Sequence, residues 1–267
     1  MSTVPSVTAA KPNGNVVEGK VPEVNAPFWL IKILATTLGE TAGDAVTMSM
    51  NLGYLVGSSI FLSIFLVSVA CQVTAKRFHP LVFWAVIVAT TTAGTTLADF
   101  FDRSLGIGYA GGSATLFIFL MASLGIWYKS EGSVSIKKIL SRKAEVFYWL
   151  TIMFSQTLGT ALGDWVADPQ TGLGLGYEGG ALLFSAALVI VAGLYFWTKT
   201  SRTFLFWAAF ILTRPLGATL GDFLDKPHAA GGMELSRYTA TAAIAVLMFG
   251  CVLLFPQRAE KTEGAAA

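Results

Sequence analysis

The chain has 267 residues, of which 54% are hydrophobic and only 13% are charged, and its formal net charge is +2. A soluble domain of this length would carry roughly a quarter charged residues. The mean hydropathy of +0.64 and the long apolar runs are instead typical of a chain that spans a membrane. Cys71 and Cys251 lie in apolar runs without CxxC or Cys/His spacing, so neither a disulfide framework nor a zinc or haem site is indicated.

Eight apolar segments follow a polar N-terminal stretch. Residues 1–27 lack an apolar core, and we interpret them as a flexible cytoplasmic tail and not as a signal peptide. The predicted transmembrane helices cover about 28–49, 54–75, 81–101, 108–128, 146–166, 177–198, 204–224 and 236–255. A basic cytoplasmic linker, 129–145, divides 28–128 from 146–255, and 256–267 is predicted to be a second cytoplasmic tail.

The eight segments form four tandem copies of one two-helix unit. The segment TTLGETAGD, which ends at Asp44, returns in variants that end at Asp99, Asp164 and Asp222. A tryptophan precedes each aspartate by fifteen residues, and these tryptophans are Trp29, Trp84, Trp149 and Trp207. Such a repeat predicts one structural unit used four times. The predicted fold is therefore all-α, with eight transmembrane helices in four tandem repeats.

The loop charges predict the orientation of these repeats. Because each copy has an even number of spans, all four copies are expected to be parallel, with a pseudo-symmetry axis along the membrane normal. The loops on the side of the two termini carry most of the basic residues, against only Arg103, Lys226 and Arg237 on the other side. The basic set includes Lys11, Lys20, Lys32, Lys76, Arg77, Lys129, Lys137, Lys138, Arg142, Lys143, Lys199, Arg202, Arg258 and Lys261. This asymmetry favours cytoplasmic termini, tryptophans at the inner interface and aspartates in the outer half of the membrane.

The repeated aspartates are the principal candidate functional residues. An ionised aspartate at the centre of a membrane helix costs about 2.5–3.5 kcal/mol on insertion scales, so these side chains are expected to face the protein interior or an outer vestibule. Only the first copy adds Glu40, one turn before Asp44, and only the fourth has Arg214 beside Pro215. We expect one asymmetric site where these two helices meet. The alternative is structural: the aspartates could accept hydrogen bonds at helix ends or lie hydrated at the outer interface.

Glycines surround each aspartate at small-xxx-small spacing, which allows close helix packing in lipid. They are Gly39, Gly43, Gly94, Gly159, Gly163, Gly217 and Gly221. Packing alone would explain them, although thin helices would also leave threonine hydroxyls near the acids, namely those of Thr41, Thr95 and Thr160. Such oxygen ligands suit hard cations or protons, and Asp44 with Glu40 is the candidate metal pair. The later acids Asp102 and Asp225 are interpreted as solvated charges of the outer loops, with Arg103 and Lys226 as their partners.

The four Trp-to-Asp copies over residues 28–255 resemble a bacterial inner-membrane family. It is catalogued as a repeat of unknown function, or as uncharacterised membrane-anchored proteins. The resemblance implies a bacterial source and a multi-pass position in the plasma membrane, and it implies no substrate.

Three functions remain open from the residues. The first is transport of a small cation, such as Mn²⁺ or Mg²⁺ or a coupled proton, through the intramembrane acids. The second is transport of a small organic solute with Arg214 in the site, and the third is a non-transport scaffold or assembly factor. No nucleotide-binding or nucleophile motif is present in the sequence, so an enzyme, a cofactor or a nucleic-acid partner is not expected. The bilayer and the small solute are the expected partners, and the sequence leaves the oligomeric state open.

Overall fold

The computed structural model describes residues 16–263, and the side chains of 18–261. Eight α-helices account for nearly all of this range, and their ends lie within five residues of the predicted ends. They are α1 Ala26–Asp44, α2 Gly53–Thr74, α3 Pro80–Asp99, α4 Tyr109–Glu131, α5 Arg142–Ala167, α6 Gly176–Trp197, α7 Arg202–Asp225 and α8 Arg237–Leu254. One π-helical turn extends α1 over Ala45–Ser49, and another extends α3 over Phe100–Ser104. The all-helical prediction of eight helices in four repeats is confirmed.

The first helices of the four repeats form a closed ring. We call α1, α3, α5 and α7 the inner helices: α1 packs against α3 and α7, and α5 packs against the same two neighbours. The second helices, α2, α4, α6 and α8, are the outer helices. Each outer helix packs mainly on the inner helix of the next repeat, so that α2 lies on α3, α4 on α5, α6 on α7, and α8 on α1. Every repeat is thus completed by its neighbour, and the last repeat closes onto the first.

Glycines set the close approach of the inner helices, and the contact recurs around the ring. A Cβ atom on Gly39 would overlap Thr91 of the next inner helix, and one on Gly94 would lie 3.0 Å from Gln156. Gly159 meets Arg214 in the same way, and Gly217 meets Thr36. Gly43, Gly163 and Gly221 make the corresponding contacts one turn further along, with Thr95, Ala218 and Glu40. Equivalent residues therefore meet at equivalent levels, which requires the four inner helices to run in the same direction.

The outer helices present an apolar exterior. Large hydrophobic side chains such as Leu55, Phe117, Leu182 and Val246 are exposed on them. A continuous exposed apolar surface of this kind marks contact with a membrane or another protein. Within residues 16–263, six helices are long and apolar enough to cross a membrane, and α1 and α5 fall outside this set. The architecture is compatible with a multi-pass membrane protein.

The turns between inner and outer helices depend on glycine. Gly53, Gly108 and Gly176 stand where the first three outer helices begin, and each has a positive φ of 66–74°. Side chains rarely adopt that backbone region, whereas glycine does so without steric cost. The Gly-rich segment after each of the first three aspartates therefore reverses the chain immediately beyond the inner helix.

The ends of the described chain form a pair of strands where the sequence predicted flexible tails. Strand β1, Val16–Pro22, pairs antiparallel with β2, Ala259–Glu263. The Lys20 ammonium lies 2.9 Å from the Glu145 carboxylate and donates to the Val73 carbonyl, also at 2.9 Å. These contacts attach β1 to the ends of α2 and α5. The outer parts of both tails, 1–15 and 264–267, lie outside the described residues.

The repeated tryptophans lie inside an aromatic layer of the protein. Trp84, Trp149 and Trp207 are buried, and Trp29 is half-buried. Their rings pack on neighbouring aromatic side chains, as Trp149 does on Phe83 at 5.6 Å between ring centroids. The Trp207 indole N–H donates to the Val134 carbonyl at 3.0 Å. The tryptophan end of the ring is therefore covered by the loop after α4, which the indole anchors.

Candidate ion site on the axis of the helix ring

Polar side chains occupy successive turns of the inner helices, four residues apart, and almost all of them are buried. We name three levels by their position. The aspartate level contains Asp44, Asp99, Asp164 and Asp222; the Glu40 level contains Glu40, Thr95, Thr160 and Ala218; the Arg214 level contains Thr36, Thr91, Gln156 and Arg214. Residues four apart on a helix share a face, so each inner helix presents one such column to its neighbours.

Arg214 lies at the centre of the ring. Its side chain is fully buried, and its Nη2 donates to Glu40 Oε2 at 2.8 Å and to Thr95 Oγ1 at 2.6 Å. The same nitrogen donates to the Thr160 hydroxyl. These three acceptors lie on α1, α3 and α5, so the guanidinium of α7 reaches all three other inner helices. The sequence predicted a site where the helices of Arg214 and Glu40 meet, and the structure brings these two side chains into a direct ion pair.

Two cations bridge the four aspartates in pairs. Arg103 Nε lies 2.9 Å from Asp99 Oδ1, and Arg103 Nη2 lies 3.4 Å from Asp164 Oδ2. Lys226 pairs with Asp44 and lies 3.1 Å from Asp222 Oδ1. Both cations stand four residues after the aspartate of their own repeat, and each reaches the aspartate of the next repeat in the ring. The aspartate level is thus divided into two bridged pairs.

The prediction that these outer charges are solvated loop residues is wrong for Lys226, Asp102 and Asp225, which are buried, whereas Arg103 is partly exposed. It placed Arg103 and Lys226 in solvated loops, but only 34% and 10% of their side chains are exposed, and both bind the repeated aspartates. Asp102 and Asp225 are buried as well, and Arg237 Nε lies 3.2 Å from Asp225. A usable signal was present, since a basic residue four positions after an acid faces it across one helical turn.

Lys32 is a second correction. Its position near the tryptophan end suggested a cytoplasmic loop charge, but its side chain is fully buried in α1. The ammonium lies 4.2 Å from the centroid of the Phe210 ring, which is one turn before Arg214 on α7. Lys32 therefore belongs to the interior of the ring, one turn from the Arg214 level.

Three carboxylates come close enough together to hold a metal ion. One oxygen from each of Glu40, Asp44 and Asp222 lies within 4.8 Å of the other two, and all three residues are buried. Such an oxygen set suits hard cations such as Mg²⁺ or Mn²⁺. Lys226 stands between Asp44 and Asp222 in this structure, so a metal ion would take the place of its ammonium. The predicted pair of Asp44 and Glu40 is part of this group, and Asp222 is its third member.

The predicted threonines divide into two kinds. Thr95 and Thr160 contact Arg214, and Thr95 also donates to Glu40 Oε2 at 3.2 Å. The Thr41 hydroxyl donates instead to the Leu38 carbonyl of its own helix at 3.3 Å. Thr95 and Thr160 therefore belong to the axial cluster, whereas the hydrogen bond of Thr41 is local to α1.

The four copies correspond to a known family of repeats. The family model described as Repeat of Unknown Function (DUF347) matches four consecutive segments, residues 27–78, 82–133, 147–201 and 205–260. Each segment contains one inner helix and the outer helix that follows it. No curated protein and no solved structure matches the chain significantly. The chain therefore belongs to the DUF347 repeat family, with four copies in tandem.

Proposed function

We propose that this protein transports a small cation across a membrane through the buried carboxylates on the axis of its helix ring. The observation that carries the proposal is an imbalance of charge. Glu40 and the four aspartates of the aspartate level are all buried. Within the described residues, Arg103, Lys226 and Arg214 are the cations that pair with them most closely, at 3.4 Å or less.

These three cations leave two of the five carboxylates without a paired cation, and Lys32, which is also buried in the ring, lies on the Phe210 ring and forms no ion pair with them. Arg237 does not remove this difference, because it also pairs with the buried Asp225 and lies 3.8 Å from Asp44. An uncompensated buried charge costs several kcal/mol. Bound cations would supply the missing charge, and a divalent metal ion or two protons would match it in number.

The Glu40, Asp44 and Asp222 group is the proposed binding point. Its three carboxylates and the neighbouring Thr95 hydroxyl are hard oxygen ligands, which favours Mn²⁺, Mg²⁺ or H⁺ over softer ions. Lys226 serves as a tethered cation that occupies the group between transport events. It directly follows the last residue of α7, so its side chain can leave Asp44 and Asp222 without a break in the helix.

The exposed apolar outer helices support a position of the axial carboxylates within a membrane. We propose that all eight helices span the membrane, with the outer helices against lipid and the ring axis along the membrane normal. The basic loops at the tryptophan end favour cytoplasmic termini, and the family resemblance favours a bacterial inner membrane. The aspartate level then faces the outer side of the membrane, and Arg103 and Lys226 lie between it and that side.

Transport by purified protein in liposomes tests this proposal. Wild-type protein should move Mn²⁺, Mg²⁺ or protons across the vesicle membrane, and Asp44→Asn should abolish that flux because it removes a carboxylate from the group. The exposed acid Glu178 provides the matched control, and Glu178→Gln should keep the wild-type flux. Thermal unfolding of each variant in detergent confirms that the protein is folded.

Two results would contradict the proposal. Equal flux through wild-type and Asp44→Asn protein would show that the carboxylates do not carry the ion. Absence of flux for all three cations in wild-type protein, with normal growth of cells that carry Asp→Asn at all four aspartates, would favour the scaffold role. If an organic acid moved instead and Arg214→Gln stopped it, the organic-solute alternative would replace the cation.

A further inference from the structure

A second polar group lies on the tryptophan side of the carboxylates and differs from them in charge. Lys32, Gln156 and Arg214 are each completely buried. Within the described residues, Lys32 Nζ, both amide atoms of Gln156, and Arg214 Nε and Nη1 have no hydrogen-bond partner. Buried polar groups in native structures are nearly always satisfied, so these five atoms have hydrogen-bonding capacity that a bound ligand can use.

These three side chains come from three inner helices: Gln156 and Arg214 belong to the Arg214 level, and Lys32 lies one turn before that level on α1. Arg214 lies on the axis, because it contacts α1, α3 and α5. Gln156 holds the equivalent position on α5, one turn before Thr160, which Arg214 contacts. Lys32 reaches from α1 to the Phe210 ring, one turn before Arg214 on α7.

The chemistry of the free atoms favours an anion over a cation. An ammonium, two guanidinium nitrogens and an amide nitrogen are all donors, and the amide oxygen of Gln156 is the single acceptor. Glu40 offsets the charge of Arg214, with which it pairs at 2.8 Å. The charge of Lys32 is then left unpaired among the described residues, where its contact is the face of an aromatic ring. One negative charge would balance it, and buried ions require such a balance.

We propose that Lys32, Gln156 and Arg214 form a binding site for one small monovalent anion, either a chloride-sized ion or the carboxylate group of a small organic acid. The anion accepts hydrogen bonds from the Lys32 ammonium, the Gln156 amide and the free nitrogens of Arg214. This site is separate from the carboxylate group, and it does not depend on cation transport. It would place an anion and a cation at neighbouring levels of the same axis.

Thermal unfolding of the purified full chain in detergent tests the site without any transport step. The protein is treated with a chelator and unfolded in the sodium salt of HEPES, a bulky sulfonate that serves as the reference anion, in sodium chloride or in sodium acetate, all at one ionic strength. Binding to the folded state raises Tm in a saturable way, by roughly 2–4 °C at about four times Kd. A gain in chloride indicates the inorganic ion, and a gain in acetate alone indicates a carboxylate. Equal Tm values in all three salts at every concentration would overturn the proposal.

Two substitutions locate the effect. Lys32→Met should abolish the anion-dependent gain in Tm, whereas Lys76→Met, at an exposed lysine, should retain it. Gln156→Glu should behave differently, because its carboxylate supplies a tethered anion. We expect this variant to have a higher Tm than the wild type in the HEPES salt and no further gain in chloride or acetate.

The remaining outcomes are also decisive. A full anion-dependent gain in Lys32→Met would place the bound anion elsewhere and overturn the proposal. If Lys32→Met does not fold, the test rests on Gln156→Glu. An anion-dependent gain in Tm that persists in this variant would contradict the site, whereas loss of that gain together with a raised Tm would support it. Anomalous scattering from bromide in crystals gives an independent check, with the expected peak between Lys32 and Arg214. Because no arm measures flux, failure of the cation proposal leaves this test unaffected.

Discussion

Removal of the Arg214 charge should destabilise the protein strongly, and simultaneous removal of the Glu40 charge should restore much of the lost stability. Arg214→Met takes away the cation that pairs with Glu40, and both side chains lie in the interior. The Glu40 carboxylate then remains buried without a matching charge. In Arg214→Met/Glu40→Met, neither charge is left, and two unbranched apolar side chains fill similar volume.

The magnitude follows from the burial of the pair. Breaking a buried ion pair by removing one partner costs about 3–5 kcal/mol, whereas replacing both partners by apolar residues is often neutral or stabilising. Because a domain of 150–250 residues loses about 2–4 °C of Tm per kcal/mol, we expect Arg214→Met to lower Tm by roughly 6–20 °C. The double variant should recover most of that difference.

Intrinsic tryptophan fluorescence in detergent at one fixed scan rate provides the assay, since membrane proteins often unfold irreversibly. Arg142→Met is the matched control, because Arg142 is exposed at the start of α5. A loss in Arg214→Met no larger than in Arg142→Met would refute the reasoning. A double variant as unstable as the single one would refute it equally, because the cost would then arise from packing and not from the unpaired charge.

Two further predictions concern the ring itself. Gly217→Ala should lower the free energy of unfolding by about 1–3 kcal/mol, because its Cβ would lie 2.8 Å from the Thr36 backbone carbon. The control is Gly250→Ala, whose Cβ would have no atom within 4 Å and which should be neutral or slightly stabilising in thermal unfolding. Equal losses in the two variants would contradict the close helix contact. A circular permutant that joins Glu263 to Val16 and begins the chain at Thr200 should retain the wild-type Tm within a few degrees. The reason is that Val16 and Glu263 are paired in the strand register and therefore lie side by side. Aggregation of this permutant, beside a soluble wild type in the same detergent, would indicate that the ring depends on its original chain order.

The sequence was sufficient for the properties that depend on short stretches of chain. Helix ends followed from apolar runs and Gly-rich turns, and the fourfold unit followed from the constant distance between Trp29 and Asp44 and its three repetitions. It also indicated that the helices of Glu40 and Arg214 would meet, because these two residues make the first and fourth copies chemically different from the others. These inferences succeed because each relies on residues within one helix or on equivalence between copies.

Tertiary structure decided the partners of the charges. Arg103 and Lys226 follow their helices and looked like loop residues, but closure of the ring brings each against the aspartate of the next repeat. The sequence also gave no sign that each outer helix would pack on the following repeat and not on its own inner helix. Such pairings join residues far apart in the chain, and they depend on how four helices share one axis. Local sequence therefore determines which charges this protein carries, whereas the closed ring decides which of them become partners.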